Sequence, residues 1–138
     1  MSDFKIFDIA GSGMSAQSVR LNTVASNLAN ADSVSGDPAD VYRAKHPVFQ
    51  AVLGTGLNAD PATASVEVTG ITESQAAPES RYDPGNPLAN AQGYVYAPNV
   101  NVVEEMTDMI SASRSYQNNV EVLNTARDLM LATLKLGQ

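Results

Sequence analysis

Apolar residues recur at alternating intervals of three and four at both ends of this chain, and the pattern lapses between them. Near the N-terminus the stripe runs Phe7, Ala10, Met14, Gln17, Leu21, Val24, Leu28 and Ala31. Near the C-terminus it runs Met106, Met109, Ser113, Tyr116, Val120, Leu123, Arg127, Met130 and Leu134. A residue repeating every 3.5 positions keeps one helix edge turned towards a partner, so both stripes predict coiled-coil seams. With no other such segment in the chain, the two ends are expected to pair with each other and then with neighbouring molecules. This layout suits a self-assembling structural subunit better than an enzyme.

The predicted fold is mainly α with a small β insertion. The N- and C-terminal helices pair as an antiparallel coiled coil (residues 1–31 and 100–138), and a linker with a small hairpin-like β unit fills 32–99. The first helix should start near Phe4 or Ile6 and end at Asn30, before the turn formers Ser35-Gly36-Asp37-Pro38. Gly11 and Gly13 should weaken it early, at about 1 kcal/mol each relative to alanine. In the middle, Tyr42–Lys45 and Val48–Leu53 flank a His46-Pro47 break, and Val66-Glu67-Val68-Thr69 alternates as a half-buried strand does. A turn-rich stretch from Pro78 to Asn90 follows, then the extended lead-in Tyr94–Pro98. The second helix should begin near Asn101 as its N-cap, with Glu104, Glu105 and Asp108 favoured by the helix dipole. It should stop before Gly137 after spanning ~50 Å.

Away from the seams both helices are polar but largely uncharged. Asn22, Thr23, Ser26, Asn27 and Asn30 form this face in the first helix; Ser111, Ser115, Gln117, Asn118, Asn119, Asn124 and Thr125 form it in the second. Solvated helix faces usually carry ion pairs. Neutral amides and hydroxyls suit burial within an assembly, where unpaired charge is costly.

Composition narrows the picture. The 138 residues make room for one domain, and no tryptophan, three Phe and five Tyr argue against a thick core. A net charge of -7, with eight acids between residues 31 and 99, excludes nucleic acid as a partner. Absence of cysteine suits a chain that passes between compartments unfolded. No segment has the ~18 consecutive apolar residues of a membrane span. Ala29-Asn30-Ala31 looks like a cleavage site, but no basic region and apolar run precede it.

The chemistry-bearing residues point to no active site, cofactor or metal. His46 is the sole histidine and has no nucleophile or ligand set nearby in sequence. Met14, Met106, Met109 and Met130 read as adaptable packing. Gly11-Ser12-Gly13 lacks the strand a phosphate loop requires. Arg127 on the second seam and Arg114 beside it are candidates for fixing register or partner choice. The residues expected at assembly interfaces are therefore Met14, Leu21, Val24, Leu28, Met106, Met109, Arg114, Tyr116, Val120, Leu123, Arg127, Met130 and Leu134.

Ser12-Gly13-Met14-Ser15-Ala16, Arg20 and Ala25-Ser26-Asn27-Leu28-Ala29-Asn30-Ala31 together resemble the N-terminal motif of the bacterial flagellar rod and hook axial proteins. Asp83-Pro84, Pro87-Leu88-Ala89-Asn90, Gly93-Tyr94-Val95 and Pro98-Asn99-Val100-Asn101 look like the proximal-rod branch of that family. So do Val102–Met106, Arg114-Ser115-Tyr116-Gln117 and Val120-Glu121-Val122-Leu123-Asn124. Asn118 departs from the pattern, standing where a small apolar residue is usual, and the Asp32–Asp40 linker is longer and more acidic. The resemblance implies a structural subunit of the rod, transmitting torque and enclosing the export channel in the periplasm. It also implies export by the flagellar type III apparatus without signal cleavage. Its implied neighbours are copies of itself, other rod proteins, and the basal adaptor in the MS-ring region. A soluble helical adaptor or export chaperone is the alternative; it would hold a stable folded dimer, whereas a rod subunit would order its ends on polymerising. A cell-wall hydrolase would need a positioned acid or nucleophile pair that the chain does not offer.

Overall fold

The computed structural model of the chain describes residues 3–53 and 64–136, with side chains from Lys5 onward. Its elements in order are α1 (Asp3–Asn30), β1 (Lys45–Leu53), β2 (Ala64–Glu73), β3 (Glu79–Tyr82), β4 (Tyr94–Ala97) and α2 (Val102–Leu136). The chain is thus two long terminal helices with small antiparallel sheets between them. Gly137, the expected helix stop, lies outside the described residues.

α1 is continuous through Gly11 and Gly13, where the sequence predicts weakness. Contact with α2 explains the second glycine: a methyl at Gly13 would stand 2.8 Å from Asn119 Nδ2. Close helix approach outweighs the propensity cost of glycine at that point. α2 starts as expected, with Asn101 Oδ1 accepting from the amides of Val103 (3.1 Å) and Glu104 (3.4 Å). That bond satisfies donors the first turn leaves open.

Instead of one hairpin unit the described residues form two separate two-stranded sheets, β1-β2 and β3-β4. The His46-Pro47 break is also absent. Both residues lie within β1, opposite Thr72 and Ile71 of β2. A proline fits there because a two-stranded sheet has free edges, where a missing N–H removes no ladder bond. A register shift between Val48 and Phe49 bends the pair. This hairpin lies against α1: the Val66 amide donates to Ser12 Oγ at 3.1 Å, and Lys45 meets Asn27. α1 therefore packs on α2 and on the hairpin.

β3 and β4 carry an edge-to-face Tyr82–Tyr94 pair with centroids 5.2 Å apart. Ser35 bonds reciprocally with Tyr96 (3.0 and 2.8 Å), tying the 31–44 linker to the other edge of β4. Val95 becomes fully buried. Gly93, at φ 82°, closes the turn before β4 and leaves no space for a side chain beside Tyr82 and Pro84. Gly36 is similarly constrained, since a Cβ there would come within 2.6 Å of the Leu88 carbonyl oxygen. That neighbour is backbone and has little freedom to retreat. Gly36→Ala is expected to lower unfolding stability by about 1–3 kcal/mol, the cost of forced overpacking, read from the denaturant midpoint.

Among the described residues the buried aliphatic positions are Ala10, Ala16, Val24, Val41, Ala44, Val95, Ala112 and Ala126, with Pro98 buried beside them. Small residues give thin interfaces between elements instead of a thick core.

Candidate assembly surface

The α1 stripe sits as its spacing predicts. Val24 is buried, Met14, Leu21 and Leu28 are half-buried, and no member of the stripe is exposed. α2 differs. Its buried positions are Glu105, Ala112 and Ala126, and Asn119 faces Gly13. These recur at seven-residue intervals, each one position before Met106, Ser113, Val120 and Arg127 of the predicted stripe. Met109, Leu123 and Met130, which flank both edges, remain half-buried. The helix edge facing α1 is thus displaced by one residue from the edge the sequence predicts. Alanines and the polar Glu105 and Asn119 occupy the close contact, and the larger apolar side chains are turned aside.

Contacts along the two helices run in opposite sequence directions. Asn27 meets Glu105, Gly13 meets Asn119, and Ile6 shares a groove with Val122, Ala126 and Leu129. Arg20 donates to Asp108 at 2.7 Å, a half-exposed ion pair that guides register more than it stabilises.

The rotation leaves two apolar edges of α2 uncovered. Met106, Ile110, Tyr116, Val120, Leu131 and Leu134 lie on one side; Val122, Leu129 and Leu136 lie on the other. Ile6 of α1 is exposed beside the second edge. Arg114 and Arg127 are exposed as well, with Arg114 beside Ile110 and Ser111 in a shallow groove. Several of these side chains exceed half exposure, Leu134 reaching 68%. Apolar surface this extensive is unusual on a chain that acts alone.

Sequence reading missed the polar hub between the helices. Asn27 is 0% exposed and uses its whole amide. Its Nδ2 donates to Glu105 Oε1 (2.8 Å) and the Lys45 carbonyl (2.9 Å), while its Oδ1 accepts from Tyr42 Oη (2.9 Å) and the Lys45 amide (2.9 Å). One side chain joins α1, the linker, the root of β1 and the first turn of α2. Thr23 is buried next to it, and Ser26 bonds Tyr42 at 3.1 Å. Much of the neutral polar face of α1 is therefore covered by the chain's own linker and hairpin. Only the neutrality of that face hinted at burial; which segment covers it is a long-range matter.

Glu105 is 5% exposed, so the acid expected merely to favour the helix dipole is a buried group. Burial pushes its carboxyl above the usual glutamate range, and the charges of Asp108 and Glu104 add to that. The Asn27 bond and His46 oppose it. Because the folded chain holds this proton more tightly than the unfolded one, Glu105 contributes most stability below the ordinary glutamate pKa. That contribution is lost as pH rises through the raised folded value. Glu105→Gln keeps the acceptor for Asn27 and removes the titration. Its denaturant midpoint should lose this component of pH dependence and equal or exceed that of the parent above neutrality.

Among the described residues no group of three or more His, Cys, Asp or Glu could hold a metal ion, and no helix is long and apolar enough to cross a membrane. Two helices with uncovered apolar edges, joined through a polar hub, define an assembly component. Residues 7–36 match the family described as flagella basal body rod protein, and residues 91–136 match the flagellar basal body rod FlgEFG protein C-terminal family. The chain is 59% identical over its full length to all of the flagellar basal-body rod protein FlgC of Escherichia coli O6:H1. It is likewise 57% identical, over the whole of both chains, to that of Salmonella typhimurium. Against that of Agrobacterium fabrum it is 43% identical, covering 93% of this chain and 90% of the relative. The chain belongs to the FlgC family of flagellar basal-body rod proteins.

Proposed function

We propose that this chain is a structural subunit of the proximal rod of the bacterial flagellum, assembled through its terminal helices. The uncovered apolar edges on both flanks of α2 carry the reading, because a helix that buries only its narrow side within its own chain is built to bury the rest against others. In this reading α1 and α2 form an antiparallel coiled coil lining the rod's inner tube, with residues 32–99 outside it. Interface contacts come from the exposed Met106, Tyr116, Val120 and Leu134, the half-buried residues beside them, and Arg114 and Arg127. The assembled tube transmits torque and encloses the channel for later subunits. The chain reaches the periplasm through the flagellar type III apparatus without losing a signal peptide. There it meets its own copies, other rod proteins, and the basal adaptor at the MS ring.

The test is recovery of the chain in isolated basal bodies. In a deletion strain complemented with a tagged copy, the tag should co-purify with the rod after filament and hook are removed, and loss of the chain should abolish motility. A tag found only in soluble dimers would favour the adaptor or chaperone instead.

A further inference from the structure

The segment Pro98-Asn99-Val100-Asn101 stands between β4 and α2, and its two asparagines point to different tasks. Asn101 caps α2. Asn99 instead engages the root of the β1-β2 hairpin. Its Oδ1 accepts from the Ala44 amide (3.0 Å), and its Nδ2 donates to Ser74 Oγ (3.0 Å) and the Ala76 carbonyl (2.9 Å). Ala44 precedes β1, while Ser74 and Ala76 follow β2. One half-buried amide thus holds both strands of the hairpin where they join the rest of the chain. The Ser74 amide donates to the Ala44 carbonyl at 2.8 Å and closes the root.

The next residue, Lys45, is held by Asn27 of α1 through both its amide and its carbonyl, at 2.9 Å each. Ala44 and Lys45 are therefore gripped from two sides, Asn27 tying them to the helix pair and Asn99 to the segment that enters α2. Asparagine suits both places because its amide offers donor and acceptor together and carries no charge to desolvate. Beyond the root the hairpin is held more lightly. The Val66 amide donates to Ser12 Oγ at an exposed site (3.1 Å), and Val48, Phe49, Leu53 and Ile71 are 41–58% exposed. The nine residues of β1 extend about 30 Å, so a rotation of about 10° at the root displaces the far end by about 5 Å.

We propose that Asn99 is a positioning residue. It fixes the angle at which the hairpin leaves the helix pair, separately from the pairing of α1 with α2, and the rod needs that fixed angle to carry torque between its inner helices and its outer part. This rests on the reading of the chain as a rod subunit. Without Asn99 the hairpin pivots about its remaining anchor at Asn27, and load on the outer segments is spent in bending the root.

The chain has no cysteine, so spin labels on engineered thiols read distances without background. Gln50→Cys with Gln117→Cys reports the hairpin against α2; Ser15→Cys with Gln117→Cys reports α1 against α2. All three positions are exposed. Asn99→Ala should broaden the first distance distribution and leave the second unchanged. Amide exchange at Ser74 should rise about tenfold, the effect of one lost hydrogen bond. Ser74→Ala removes the hydroxyl to which Asn99 donates; it should broaden the first distribution less, and it decides the matter if Asn99→Ala fails to fold. In cells the Asn99→Ala chain should be recovered from basal bodies in the parental amount, while swimming in viscous medium slows. An unchanged first distribution, equal broadening of both, or loss of the variant from basal bodies would show that Asn99 does not position the hairpin separately. Parental swimming by cells whose rods contain the loosened chain would show that the fixed angle is not needed. Each of these overturns the proposal and leaves the rod reading intact. Absence of the parent chain from basal bodies would overturn the rod reading itself.

Discussion

Asn27→Ala is expected to be among the most destabilising single changes in this protein, lowering unfolding free energy by about 3–5 kcal/mol. The side chain is fully buried and makes four hydrogen bonds to three other segments. Truncation strands the Lys45 amide and carbonyl and leaves the Glu105 carboxyl buried without its donor. An unsatisfied buried group costs about 1–3 kcal/mol, more when charged. Water entering the gap would recover part of this, which is why the expected total falls below a simple sum. Asn27→Asp should be as damaging at neutral pH, because it sets a second carboxylate against Glu105 and removes the donor to it. Denaturant unfolding of the purified chain measures both. Asn27→Ala within 1 kcal/mol of the parent would mean that the hub does not tie the helices, linker and hairpin together.

Leu123→Asp is expected to abolish rod assembly and motility. Leu123 is half-buried on the α1-facing side of α2, between Asn119 and Ala126 on the helix surface. A carboxylate there is half-buried against α1 in place of an apolar contact, and the exposed Arg127 one turn on offsets only part of the cost. Leu21→Asp on α1 should act the same way. Leu134→Asp provides the contrast, because Leu134 is exposed within the chain. It should leave the helix content of the purified protein unchanged and still remove it from basal bodies. Wild-type motility with Leu123→Asp would show that the helix pairing is wrongly placed. Wild-type motility with Leu134→Asp would show that the uncovered edge takes no part in assembly.

Glu105 links stability to its surroundings in a further way. Asn27 donates to its carboxylate and the charges of His46, Asp108 and Glu104 act on it, so its contribution to stability is largest when protonated and falls as pH rises. Gln at this position removes that response and keeps the hydrogen bond.

Much of this protein is legible without coordinates. The helix stripes follow from local periodicity, the Asn101 cap from side-chain chemistry at a helix start, and the β2 strand from the alternation of Val66–Thr69, while Tyr94–Pro98 reads only as an extended lead-in. Each depends on residues close in sequence. The family likewise shows in short contiguous motifs at both ends. Three features were decided only by the tertiary structure. Within the 3.5-residue repeat of α2 two adjacent edges compete, and the one bearing Ala112, Asn119 and Ala126 meets α1, where Gly13 leaves room for the Asn119 amide. His46 and Pro47 join a strand because β2, about 25 residues later, offers them partners and an edge that tolerates proline. Asn27 and Glu105, 78 residues apart, look like ordinary polar helix residues until the fold buries each against the other. Local rules fix which segments are helices and strands; which face each one buries depends on the segment that arrives from far along the chain.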